Sequence, residues 1–204
     1  QLWRAPNHIE STLGAVSTLV VRDGVVLFHG QNQPVNKGGK KTKGVRTITA
    51  YSLNDGQQPW QSGGSPSLAA ACTQPTDVFV SDGIVWCGSS LQGRDLRTGE
   101  VKQTLDLEHL ISPGHHYRCH RGKATEQFLI WPKRGAEFVD LKDGAHMRND
   151  WLRAPCFTGA TPANGLFYVP SSQCFCYPGV KVFGFLALAS KANSTDTSAD
   201  ARLP

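Results

Sequence analysis

Four cysteines, Cys119, Cys156, Cys174 and Cys176, fall in the second half of the chain, with His115, His116, His120 and His146 near some of them. Cys174 and Cys176 are two apart, so on a strand both thiols point to the same face. That geometry suits two thiolates on one soft ion, Cu(I) or Zn(II), with Cys119 or a histidine such as His116 or His120 completing the shell. The spacing matches no standard zinc pattern, and Cys119-His120 is not the Cys-x-x-Cys-His of haem attachment. In an oxidising compartment the same thiols pair as disulfides. Four cysteines allow three pairings, between which the sequence does not choose. A disulfide closing a loop of tens of residues contributes roughly 3–4 kcal/mol. Disulfides are the leading reading and a copper or zinc site the alternative. Cys72 and Cys87 are either a third bridge or small buried hydrophobes.

A second group is basic. His115, Arg118, Arg121 and Lys123 follow the turn Pro113-Gly114 and form a positive loop. Such a loop can attract an anionic ligand, for instance a sulfated or carboxylated sugar. The run Lys37-Gly38-Gly39-Lys40-Lys41-Thr42-Lys43-Gly44 reads as a solvated, flexible loop between strands. No aromatic residue interleaves with these lysines, so a nucleic-acid partner is not expected. Catalytic signatures are absent: there is no Gly-x-Ser-x-Gly, no His-Glu-x-x-His and no phosphate-binding glycine loop. Glu137 and Asp140 have opposite strand parity and would not face each other as a catalytic pair. They read as strand-edge charges or turn acceptors.

The elements that must position these groups repeat. At intervals of roughly 45 residues, within the range of a propeller blade, a strand runs into an Asp-Gly or Thr-Gly turn. The three full copies are Ala50-Tyr51-Ser52-Leu53-Asn54-Asp55-Gly56, Arg94-Asp95-Leu96-Arg97-Thr98-Gly99 and Val139-Asp140-Leu141-Lys142-Asp143-Gly144, with a truncated echo at 184–189. Each is preceded by a hairpin. Val16–Val21 and Val25–His29 flank Asp23-Gly24, while Asp77–Ser81 and Ile84–Gly88 flank Asp82-Gly83. Asn164-Gly165 gives another, and Glu126–Trp131 with Ala136–Leu141 around Pro132-Lys133-Arg134-Gly135 a variant. Outgoing strands follow at Gln57–Gln61 and Glu100–Leu105, and Leu105–Ile111 is the one helical suggestion. The expected architecture is all-β: a β-propeller of four-stranded antiparallel blades, about four in this chain.

The chain of 204 residues carries a formal charge of +5 and six cysteines. The cysteines lean towards an export route, periplasmic or extracellular. No apolar run of about 18 residues exists, so no membrane span is expected. Residues 1–189 read as blades, and the Ser/Thr/Asp/Ala-rich stretch 190–204 as a linker or disordered tail. Gln1-Leu2-Trp3-Arg4 resembles the continuation after a repeat turn, as Gln57-Gln58-Pro59-Trp60 continues after Asp55-Gly56. The chain is therefore expected to start inside a blade, with the rest of the ring supplied by the same precursor or another chain.

The Asp/Thr-Gly turn followed by a tryptophan, as in Asn54-Asp55-Gly56-Gln57-Gln58-Pro59-Trp60, resembles the repeat of the pyrroloquinoline-quinone-like propeller family. In that family tryptophans dock one blade on the next, a role the resemblance implies for Trp3 and Trp60. The second copy has Val101 to Leu105 and no tryptophan. The half from Gly114 to Pro178 resembles propellers of large secreted or periplasmic bacterial proteins. Family enzymes place adjacent cysteines and a calcium beside the quinone. This chain has no Cys-Cys pair, so quinone binding is not expected. What the resemblance implies is a non-catalytic ligand- or partner-binding scaffold that needs no cofactor. The alternative is a redox or metal-dependent enzyme.

Overall fold

In the computed structural model, the described residues are 2–4, 18–31, 36–37, 40–41, 46–62, 77–87, 92–105, 120–132, 135–156, 158–173 and 182–190. They contain strands and turns but no helix. In chain order, β1 (Thr18–Arg22) and β2 (Val25–Gln31) form a hairpin, and β3 (Asn36–Lys37) pairs with β4 (Lys40–Lys41) as a small ribbon. β5 (Arg46–Ser52) and β6 (Trp60–Ser62) then complete sheet I in the order β1-β2-β5-β6. Sheet II is β7 (Val78–Ser81), β8 (Ile84–Cys87), β9 (Gln92–Asp95) and β10 (Val101–Thr104). Sheet III is β11 (Lys123–Ala124), β12 (Phe128–Trp131), β13 (Ala136–Asp140) and β14 (His146–Asn149). Sheet IV is β15 (Thr161–Ala163), β16 (Leu166–Val169) and β17 (Leu186–Ala189). All pairings are antiparallel and sequential, as short connections favour.

Several expectations change. Sheet IV has three described strands rather than four. The Pro132–Gly135 turn joins the second and third strands of sheet III. The first hairpin of that sheet instead turns through Thr125–Gln127, where Thr125 Oγ1 accepts from the backbone of Phe128 at 2.9 Å. Part of the lysine-rich stretch pairs as the β3–β4 ribbon rather than remaining an open loop. Residues 106–111, most of the helical suggestion, and the tail from 191 onwards lie outside the described residues.

The hairpin turns explain themselves chemically. Asp23, Asp82 and Asn164 have φ of 47°, 48° and 51°, and each is followed by a glycine that is also at positive φ. Two successive left-handed residues give the turn twist that matches paired strands, and Asp, Asn and Gly tolerate that conformation best. The repeat turns are also superimposable in their bonding. The amides of Leu53, Leu96 and Leu141 donate to the carbonyls of Gly24, Gly83 and Gln127, at 2.9, 2.8 and 2.8 Å. Each repeat turn is thus tied to the first hairpin of its own sheet.

Strand alternation gives every sheet a forward face towards the next sheet and a rear face towards the preceding one. Val25, Leu27, Ile48, Ala50 and Trp60 of sheet I pack forward on Val78, Val85 and Leu96 around sheet II. Trp86 and Leu105 pack forward on Leu129, Trp131 and Val139 of sheet III. Ile130 and Ala136 pack forward on Phe167 and Val169 of sheet IV, with Leu152, Ala154 and Ala160 from the connection between them. Three apolar seams therefore hold four sheets, and at the last seam Phe138 meets Phe167 edge to face at 5.0 Å. Fully burying a side chain such as Leu27 contributes about 1.5–3 kcal/mol.

Candidate functional site: inter-sheet docks and a buried polar clamp

The repeat turn is a docking socket. Trp3 Nε1 donates to the Leu53 carbonyl at 2.8 Å, and Trp60 Nε1 donates to the Leu96 carbonyl at 3.0 Å. Both rings lie flat on a glycine: a Cβ on Gly56 would sit 2.7 Å from Trp3, and one on Gly99 would sit 2.6 Å from Trp60. Both glycines are also at positive φ, so the socket needs glycine for two independent reasons. At the third socket two residues share the tryptophan's work. Gln103 Nε2 donates to the Leu141 carbonyl at 2.7 Å, and the Leu105 side chain lies nearest Gly144. Gln103 stands four residues after Gly99, as Trp60 stands four after Gly56.

A buried clamp joins the first strands of sheets I to III. Arg121 Nε donates to Asp77 Oδ1 at 2.6 Å, and the amide of Gly122 donates to Asp77 Oδ2 at 2.7 Å. Arg121 Nη2 also donates to Thr18 Oγ1 at 3.0 Å. The Asp77 carboxylate is 6% exposed. Burial pushes its pKa up, while the Arg121 and Gly122 bonds pull it back down. Both carboxylate oxygens already accept charge-assisted or backbone bonds, so this arrangement braces the strand ends rather than offering a free base.

Between sheets II and III lies a second polar pair. Glu137 is 0% exposed, and His146 Nε2 sits 3.2 Å from Glu137 Oε2. Burial, with the nearby Arg148 charge, holds His146 below its ordinary value. The imidazole is therefore neutral near pH 7 and makes a hydrogen bond rather than a full ion pair. Glu137 was expected at a strand edge. Instead it shares parity with Val139 and turns towards the rear seam of its sheet. Asp140 does act as a turn acceptor: it takes the Lys142 amide and the Gln127 side chain, each at 2.7 Å. Those bonds hold its carboxyl below the usual range.

Of the cysteine cluster, Cys119, Cys174 and Cys176 lie outside the described residues, as do His115, His116 and Arg118. Cys156 sits half-buried in a turn after Pro155. Cys87 is a free thiol packed against the first seam, which removes the Cys72–Cys87 bridge; burial pushes it up to about 12. No disulfide links two described residues, and no group of three His, Cys, Asp or Glu among them converges as a metal-ligand set. His120 is buried, with Nδ1 2.9 Å from where a Gly159 Cβ would lie. Lys123 begins β11 and lines a shallow cleft with His120, Trp131 and Pro132. Arg121 does not reach free into a loop, since its guanidinium is held by Asp77 and Thr18. Asp77, Thr18 and Gln103 gave no sequence signal of these roles, although the four-residue offset from Gly99 could have found Gln103. No described helix is long and apolar enough to cross a membrane.

No family model matches the chain, and no curated protein does. Among solved structures it is similar to the computationally designed Ika4 protein, with a TM-score of 0.55 at 11% identity, over 91% of this chain and 99% of that one. A second similarity, to the computationally designed Ika8 protein, has a TM-score of 0.45 at 14% identity, over 75% of this chain and 54% of that one. At such identity the likeness to Ika4 is one of fold alone: an all-β chain of successive antiparallel sheets.

Proposed function

We propose that the four sheets are blades of a quinone-type β-propeller, and that the chain is a non-catalytic scaffold for a ligand or partner in an exported bacterial protein. The repeated socket carries this reading. Three times a side-chain N–H from one sheet reaches the leucine carbonyl of the next repeat turn. That spends tryptophan and glycine on stacking sheets rather than on holding a cofactor. The conspicuous buried acid among the described residues, Asp77, is likewise held in a structural clamp. An anionic sugar remains the proposed ligand class. With Arg121 committed to Asp77, the charge to meet it falls to Arg118 and Lys123.

Elemental analysis and non-reducing peptide mapping of purified protein test the reading. The expected result is no stoichiometric copper or zinc, with Cys119, Cys156, Cys174 and Cys176 joined in disulfides. A full equivalent of either metal with those thiols reduced would replace the scaffold by the metal-dependent enzyme. Sulfated-glycan binding should fall in R118A/K123A and persist in R121A if Arg121 is only a brace.

A further inference from the structure

The three seams are one interface used repeatedly. Counting from each first hairpin, Val26, Val85, Leu129 and Phe167 are equivalent, as are Phe28, Cys87, Trp131 and Val169. In sheets II, III and IV these positions are rear-face residues packed on the preceding sheet. Val21 is equivalent to Val80 and Ala124, both of which pack into a seam. In sheet I the same face stands open, with Leu19 63% and Val21 51% exposed. Forward positions behave alike. Leu27, Trp86 and Ile130 are buried in the first, second and third seams, whereas their equivalent Tyr168 in sheet IV meets only Phe185 across 6.2 Å, itself 64% exposed. One rear face and one forward face of the same design are left over.

Trp3 shows what the open rear face accepts. It occupies the socket of sheet I as Trp60 occupies that of sheet II, and it stacks on Tyr51 of the rear face at 6.1 Å and 29°. Trp60 lies in the fourth strand of its sheet, so Leu2–Arg4 lies where the fourth strand of a preceding sheet would run. Sheet IV has three described strands, and β17 is its outer edge. We propose that a second copy of this chain docks head to tail, the forward face of its sheet IV on the rear face of sheet I. The Leu2–Arg4 segment of one copy then pairs along β17 of the other. Two copies would place eight sheets in one ring, within the roughly 4–8 blades that propellers close with, and a heterologous contact that closes gives a discrete oligomer rather than a fibre. This rests on the propeller reading and names its missing partner.

Sedimentation velocity across a concentration series tests it. The wild type should sediment at twice the chain mass, and L19K/V21K and F185K should each sediment as monomers with unchanged far-ultraviolet dichroism. An equimolar mixture of the two variants should regain a dimer, because one carries an intact forward face and the other an intact rear face. A wild type that stays monomeric at high micromolar concentration overturns the second copy. So does a mixture that fails to complement, since a contact of each face with itself would behave that way. The propeller reading fails separately, if W60A leaves the stability of the stacked sheets unchanged.

Discussion

Gly99 and Trp60 form one contact seen from two sides. A methyl group on Gly99 must displace the indole and also hold φ at +73°. G99A is expected to destabilise the protein by about 2–3 kcal/mol in urea unfolding, whereas alanine at Gly24, which has open space around it, should bear only the backbone strain. W60A should cost about 3–5 kcal/mol, the usual range for deleting a buried tryptophan. Trp131 points the other way. Its indole N–H is buried with no hydrogen-bond partner among the described residues, so W131F should be neutral or stabilising by up to about 1 kcal/mol. Cys87 should resist alkylation in the folded protein and react on unfolding, because burial keeps its thiol protonated up to about 12. Mass-spectrometric mapping after a timed alkylation pulse would read this. The tryptophan–glycine sockets were legible from spacing. The clamp at Asp77 was not, because its partners Thr18 and Arg121 come from other sheets, and no local pattern records such a meeting.

At the scale of elements, the third socket separates two tasks that an indole performs together. Gln103 supplies the hydrogen bond and Leu105 the apolar cover. Q103A should therefore cost about 1 kcal/mol, and L105A more, because it opens the seam that holds Trp86 and Trp131. The seams also set an acid response. His146 is held below its ordinary 6.5 by burial, so the unfolded chain takes up that proton first as pH falls. Its contribution is complete above about 6.5 and is lost as pH falls through the folded value. Stability measured between pH 7 and 5 should decline, and H146Q should flatten that decline. Asp95 and Asp140, both held low chiefly by backbone amides of their turns, add a loss below 3.8. Asp77 acts oppositely: its raised value favours the folded state below 3.8, an advantage lost as pH rises through the folded value. Hairpins were legible wherever Asp-Gly or Asn-Gly stood between apolar runs. The first hairpin of sheet III was misread because Thr125-Glu126-Gln127 lacks glycine, while the conspicuous Pro132–Gly135 turn serves the next connection.

Across the whole molecule, period and turn chemistry carried the all-β stack of successive antiparallel sheets, because each unit repeats the same hairpin, return strand and socket. The order of the seams was not legible, since it depends on which face each strand presents. That parity becomes visible only when Leu27, Trp86 and Ile130 are seen buried at equivalent positions. The chemistry of the cysteine cluster was the least legible part, and Cys119, Cys174 and Cys176 fall outside the described residues.

Because Leu53, Leu96 and Leu141 present interchangeable carbonyls, and the glycines beside them interchangeable platforms, one whole unit can be deleted or duplicated without altering the chemistry of any junction that survives. Excising the span from Gly56 to Gly99 would bring Trp3 and the third socket's partners into the same relationship they already hold with their neighbours. A protein built this way can change its length in steps of one unit through simple recombination, and the register of its joints is carried along unchanged.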